Sequence, residues 1–464
     1  MTVTRDSRPP AQHRVGTAPL GVIADDYTGA TDVAVALRRA GLRTLLFFAV
    51  PDSRDERIDG GDQARLPQHD ALVVALKSRM VPTADAVAAS LDALEWLRGQ
   101  GAGQIYFKFC STFDSTPRGN IGPVLDRLAE ATGAGTVLLT PSSPEHLRTQ
   151  YQGHLFVDDL LLGESHMRHH PVTPMTDSYL PGLLRAQTHG QVALINLATV
   201  RRGTAAIRDA MAAAGAGGAR HVLADAIDES DLRTLGRAVL DAPLVAGAAG
   251  LASGLGRARA ERHVRPAPAA GRNPADGTEA PDTWDAPRGP AAVLSGSCSR
   301  RTLEQLATLT AAGRPGYYLD AVATPDPAEL ADAALTWYDT LPAAGEAPVL
   351  YSSVPHERLR EIQRVLGVER SAAVLEEATG RVAAGLVERG VRRLVAAGGE
   401  TSGAVIAALG ITGAHVGDEA ARGVPWIHPL NGRPPALLLK SGNFGGPGLL
   451  LDASASPAGQ DDRT

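Results

Sequence analysis

Short apolar runs that alternate with Ala/Leu/Arg-rich stretches constrain this chain more than any other feature. From residue 20 onward, runs at 21–25, 44–50, 71–76, 104–109, 136–140, 191–197 and 244–247 are separated by segments with helical apolar spacing. Continuous apolar runs of this length fit strands buried on both faces, and the intervening helices fit crossovers between parallel neighbours. The pattern stops at residues 262–290, which hold six prolines and almost no aliphatic side chains, as an extended linker does. It resumes at 291–296 and continues through 317–319, 349–352, 394–397 and 436–440. The expectation is an α/β protein: two α/β domains, 19–261 and 291–454, with mostly parallel sheets and a cleft between them. Residues 1–18 and 455–464 read as flexible tails.

Composition narrows the function. A net charge of −6 supplies no basic field, and 4% aromatic residues supply few stacking platforms, so nucleic acid is not an expected partner. No apolar run approaches the length of a membrane span. Residues 1–18 lack the apolar centre of a signal peptide, and Cys110 and Cys298 form no metal or disulfide spacing; both points suggest a reduced, cytoplasmic setting. Three of the 45 basic residues are lysine (Lys77, Lys108, Lys440) and 42 are arginine. Where arginine serves for generic charge, a surviving lysine suggests a need for a compact ammonium.

The segment IADDYTGATD sets Asp25 and Asp26 where an apolar strand gives way to a helix, the place at which open α/β sheets bind ligands. Thr28 is the expected N-cap of that helix. Two acids at a strand tip suggest chemistry or a metal, against the plain alternative of one capping acid and one solvated acid. Downstream, KFCSTFDSTPRGNIG gathers Lys108, Ser111, Thr112, Asp114, Ser115 and Arg118 in one strand-to-helix loop, suited to a small polyhydroxylated anion. In the second domain, Gly398, Gly399, Glu400, Thr401 and Ser402 form a glycine turn entering a helix, whose free N–H groups and dipole suit a phosphate. Ser297 in LSGSCSR and Lys440 and Gly442 in LKSGNFGG lie in similar turns. Neither GxxxxGK[ST] nor a strand-linked GxGxxG occurs, which excludes a P-loop and counts against a dinucleotide fold. His166, His169 and His170 have no spaced carboxylate or cysteine partner, so the sequence assigns no metal ligands.

In this order, these segments together with HHPVTPMTDS and AGGETSGAV resemble the four-carbon acid sugar kinases, most closely those acting on 3-oxo-tetronate. The resemblance spans about residues 20–452. It implies an N-terminal domain for the sugar acid, with Asp25, Asp26, Lys108 and Arg118 on the substrate side and His170, Thr176 and Asp177 among the substrate contacts. It also implies a C-terminal domain for ATP, lined by Ser297, Gly399–Ser402 and Gly442. Two features depart from the family: a long linker, and Gly247-Ala-Ala-Gly250 where a more serine-rich turn is expected. The expected reaction is ATP- and Mg²⁺-dependent phosphorylation of a C4 hydroxyl, with Asp25 or Asp26 handling the hydroxyl proton and Lys440 among the phosphate contacts. D-threonate and D-erythronate are alternative substrates, and a nicotinamide-dependent oxidoreductase is the alternative chemistry. Partners are the sugar acid, ATP and, if the chain is a homo-oligomer, further copies of itself.

Overall fold

The computed structural model describes residues 18–51, 66–113, 116–169, 173–262, 288–342, 346–433 and 435–455. Among these residues, fifteen strands form one continuous mixed sheet flanked by helices. In the N-terminal half the spatial order is Thr44–Phe47, Ala71–Ala75, Leu20–Ala24, Gln104–Lys108, Leu244–Gly247, Val137–Thr140, Ala219–Ala224 and Gln191–Ile195, with every pair parallel. The C-terminal half runs Gly316–Tyr318, Val349–Tyr351, Ala291–Ser295, Arg393–Ala397 and Ala436–Lys440, again parallel. The α/β class and parallel pairing match the apolar pattern.

What the pattern does not reveal is that the two sheets are joined. Gly413–Ala421 and Val424–Pro429 form an antiparallel pair between them, the first bonded to Thr44–Phe47 and the second to Ala436–Lys440. Gly413–Ala421 carries His415, Asp418 and Glu419 and is solvated toward its end, and Val424–Pro429 holds two prolines and a histidine, so neither shows the apolar run that marks the others. Ala219–Ala224 was missed for a similar reason, its apolar run being broken by Arg220 and His221. The expected strands 44–50, 191–197 and 317–319 are Thr44–Phe47, Gln191–Ile195 and Gly316–Tyr318. Helix Ala249–Arg262 includes the first residue assigned to the linker; residues 263–287, 1–17 and 456–464 lie outside those described.

Strand alternation builds two core layers. Leu20, Val22 and Ala24 face the layer containing Val33 and Leu37, while Ile23 packs with Leu72, Val74, Leu94 and Leu97 on the opposite face. A small antiparallel sheet, Arg148–Tyr151, His154–Val157 and Leu160–Leu161, stands beside the N-terminal half. Buried Asp225 anchors it by accepting from Gln150 Nε2, Gln152 N, Gly153 N and Leu197 N, which explains how a carboxylate is tolerated there.

Candidate functional site

The chain leaves the first strand in one direction across the sheet and returns through Gln104–Lys108 on the other side, so the adjacent tips of these two strands form the switch point at which open α/β sheets bind ligands. Asp25 and Asp26 follow one tip, and Lys108 ends the other. Asp25 is buried and its N–H donates to Lys108 O at 3.1 Å. Asp26, not Thr28, caps helix Tyr27–Arg39: its backbone is extended and its carboxylate accepts from Gly29 N at 2.5 Å. Thr28 instead donates its hydroxyl to Asp26, at 3.3 Å. The cap falls two residues earlier than expected because the strand ends at Ala24 and helical geometry begins at Tyr27.

Arg79 joins the two acids. Its Nε and Nη2 donate to Asp25 at 3.2 and 3.3 Å, and Nη2 also donates to Asp26 at 2.6 Å. The buried Lys108 ammonium lies on the same side, donating to Phe109 O at 2.9 Å. Burial dominates at Asp25 and holds its pKa above the ordinary carboxylate value despite Arg79. At Asp26 burial also opposes ionisation, but Arg79, Lys108 and the Gly29 and Thr28 hydrogen bonds outweigh it and hold the pKa down. Two neighbouring acids therefore differ in proton affinity, as acid/base chemistry requires.

Two further residues, which sequence reasoning did not single out, set this geometry. Arg79 follows strand Ala71–Ala75, whose place beside the first strand is known only from the sheet order. Asn120 donates to Ser78 O and Val81 O at 2.9 Å each, and so binds the loop after Lys108 to the segment that carries Arg79. That loop turns at Phe113, whose φ of +51° is held by packing against Phe109. Thr112 is buried with its hydroxyl against Cys110 Sγ, and Ser111 is half-buried beside it. Arg118, expected at the substrate, is exposed further along. Asp177 accepts from Tyr179 N, and the Thr176 backbone abuts Gly163, so these two lie beside the small antiparallel sheet. Asp114, Ser115, His170 and the His169 side chain lie outside the described residues; His166 is exposed.

Three glycine/serine turns converge in the C-terminal half because Ala291–Ser295, Arg393–Ala397 and Ala436–Lys440 are neighbours. Gly398 takes φ +129°, which a side chain would strain, and a Cβ there would sit 3.2 Å from Ser297 N. A Cβ on Gly442 would lie 2.8 Å from Ser297 Oγ. Ser299 caps helix Arg300–Ala311 and also donates to Gly442 O at 2.5 Å. Lys440 is buried, donating to Thr302 Oγ1 and Gly442 O at 2.8 Å each. Burial, with Arg301 nearby, lowers its pKa to about 7. Thr401 and Ser402 are buried in the first turn of helix Gly399–Leu409, while Glu400 faces solvent.

The two halves meet beside this turn. Gly403 packs against Lys77 and Tyr27, and Phe444 stacks on His146 at 4.5 Å between ring centres. A cavity of about 660 Å³ opens along Tyr27, Lys77, Phe48 and Trp96.

Residues 20–255 match the sugar-binding N-terminal domain model and residues 292–450 the nucleotide-binding C-terminal domain model. A relative from Cupriavidus necator named 3-oxo-tetronate kinase is 45% identical, over 94% of this chain and 96% of that protein. The chain belongs to the four-carbon acid sugar kinase family. A family member from Burkholderia multivorans bearing the same name is 44% identical, over 92% of this chain and 94% of its own length. A crystal structure of a Salmonella typhimurium LT2 protein aligns with a TM-score of 0.78 at 40% identity, covering 94% of this chain and 98% of that one. As a member of this family the chain is a sugar-acid kinase that uses ATP, and the oxidoreductase alternative is not favoured. No helix among the described residues is long and apolar enough to cross a membrane.

Proposed function

We propose that the chain moves the γ-phosphoryl group of ATP to the C4 hydroxyl of 3-oxo-tetronate, with the acid at the Asp25/Asp26 crevice and the nucleotide on the three glycine/serine turns. The observation that carries this reading is the bridged pair: two carboxylates at a strand tip held by one guanidinium, with the Lys108 ammonium on the same side. Phosphoryl transfer asks little covalent work of a protein and much positioning. Asp25 takes the C4 hydroxyl proton as the oxygen attacks, and Asp26 with Arg79 fixes its direction. Lys108 meets the substrate carboxylate. On the other side, N–H groups around Gly398 and Gly442 hold phosphate oxygens, and Lys440 braces the Gly442 turn from behind.

The Mg²⁺ that kinases use fits Glu400, a solvent-facing carboxylate beside the glycine turn, since Mg²⁺ commonly binds one carboxylate together with substrate phosphates. When bound it screens phosphate charge. Asp32, Glu145 and His146 bring ligand atoms within 4.8 Å of one another, but Glu145 is committed to Arg39 and Arg422, so that group does not fit a resident cation.

The preference for the 3-oxo acid rests on the likeness to relatives of that name and on the HHPVTPMTDS segment. A ketone offers a planar acceptor where D-threonate and D-erythronate offer a hydroxyl, and mismatched buried hydrogen bonds discriminate strongly. Steady-state kinetics on the three acids with ATP test it. The 3-oxo acid is expected to give the highest kcat/KM; a higher value for either hydroxy acid overturns the substrate assignment.

A further inference from the structure

Lys77 is the one lysine of the three that the reading above leaves unused. It follows strand Ala71–Ala75 and shares a turn with Ser78 and Arg79, whose N–H groups donate to Asp25 O at 3.0 and 3.2 Å. Its ammonium stands 5.6 Å from the centre of the Tyr27 ring, next to Asp26 in sequence. Across the junction it reaches helix Gly399–Leu409: a Cβ on Gly403 would lie 2.6 Å from both Lys77 Cε and Nζ. Gly403 is one helical turn from Gly399, a rise of about 6 Å. Lys77 thus links the acid-bearing turn to the helix that the nucleotide turn enters.

Its charge is uncommitted. Among the described residues no carboxylate lies within 4.0 Å of the ammonium. Glu376 feels its charge at longer range, and Asp92 and Glu95 line the same cavity. The side chain is exposed where the halves meet and leans on a ring and on a bare glycine backbone. An aromatic face and a missing Cβ hold a compact ammonium in place without neutralising it, and a guanidinium would need more room than Gly403 leaves.

We propose that Lys77 is a further catalytic residue of the phosphoryl transfer, its ammonium meeting the phosphoryl group in transit between ATP and the sugar hydroxyl. This rests on the site assignment above. Transferring oxygens spread negative charge as the bond to ADP breaks, and a preplaced cation stabilises that charge most in the transition state. Gly403 is kept bare so that the ammonium can occupy this point.

The test is a double-mutant cycle of Lys77→Met and Gly403→Ala in the full-length protein, with kcat, both KM values and calorimetric ADP binding as readouts. Lys77→Met should lower kcat by ~10²-fold or more, the loss typical of removing one transition-state donor. Its ADP affinity and the KM for the acid should stay within about threefold of wild type, as expected for an interaction made only in the transition state. Gly403→Ala meets only the far end of a flexible side chain, so it should fold and lower kcat in wild type while adding nothing in the Lys77→Met background. A Lys77→Met kcat within threefold of wild type, a loss confined to KM, or equal slowing by Gly403→Ala in both backgrounds would overturn the role. Wild-type protein that consumes ATP with none of the three acids would instead remove the assignment beneath it, and this role with it.

Discussion

Arg79→Met removes the guanidinium that bridges both aspartates while keeping an apolar stem in its place. Arg79 makes two hydrogen bonds to Asp25, at 3.2 and 3.3 Å, and one to Asp26 at 2.6 Å, with little solvent between. Hydrogen bonds to charged groups contribute about 1.5–3 kcal/mol each, so losing Arg79 removes at least that much stabilisation from the ionised form of Asp25 and raises its pKa further. Asp25 must be ionised to take the hydroxyl proton, and activity fails as the pH falls through its pKa. Arg79 lowers that pKa, so its removal moves the acid limb to higher pH. The assay is kcat/KM for the sugar acid between pH 5 and 9, by coupled detection of ADP. Wild type and variant should converge toward alkaline pH and separate toward acid. A uniform drop at every pH, with the limb unmoved, would refute the idea that Arg79 tunes the base.

Asp25→Asn and Asp26→Asn should each lower kcat by ~10²-fold or more, with the KM for ATP near wild type, as loss of a proton-handling group does; full activity in both would exclude them from the chemistry. Asp26→Asn should keep the helix cap, whereas Asp26→Ala should cost about 1 kcal/mol of stability by chemical denaturation. Lys440 is held at about pKa 7 in the fold against 10.5 ordinarily, so between those values the unfolded chain binds the extra proton and stability rises with pH. The urea midpoint of wild type should therefore gain on that of Lys440→Met between pH 7 and 9; a constant difference would show that the amine titrates normally. Glu400→Ala should raise the KM for ATP more than that for the acid, and unchanged kinetics would place the nucleotide elsewhere.

Asp25, Asp26 and Lys108 were legible because each sits at the end of an apolar run, and strand ends of parallel sheets are where ligands bind. The turns of the C-terminal half were legible for the same reason, through their glycines. Arg79 and Asn120 were not, because they lie in loops whose neighbours are decided by sheet order, which periodicity does not encode. Lys77 stood out only by its rarity, and its meeting with Gly403 spans the two halves. Lys440, expected among the phosphate contacts, is buried and donates to Gly442 O, a partner that the strand pattern alone does not give. The joined sheet escaped for a plainer cause: Gly413–Pro429 is a half-polar ribbon, and its alternation is broken by bulges at Val416–Glu419 and Glu419–Ala421.

Phosphorylation of the terminal hydroxyl of a four-carbon acid at Asp25/Asp26 is the proposal on which the other roles depend. Phosphorus NMR of a reaction containing the purified protein, ATP, Mg²⁺ and 3-oxo-tetronate tests it most directly. One phosphomonoester per ADP formed is expected, coupled to the two C4 protons and lost in Asp25→Asn; phosphate on any other oxygen, or no ester despite folded protein, would contradict this role.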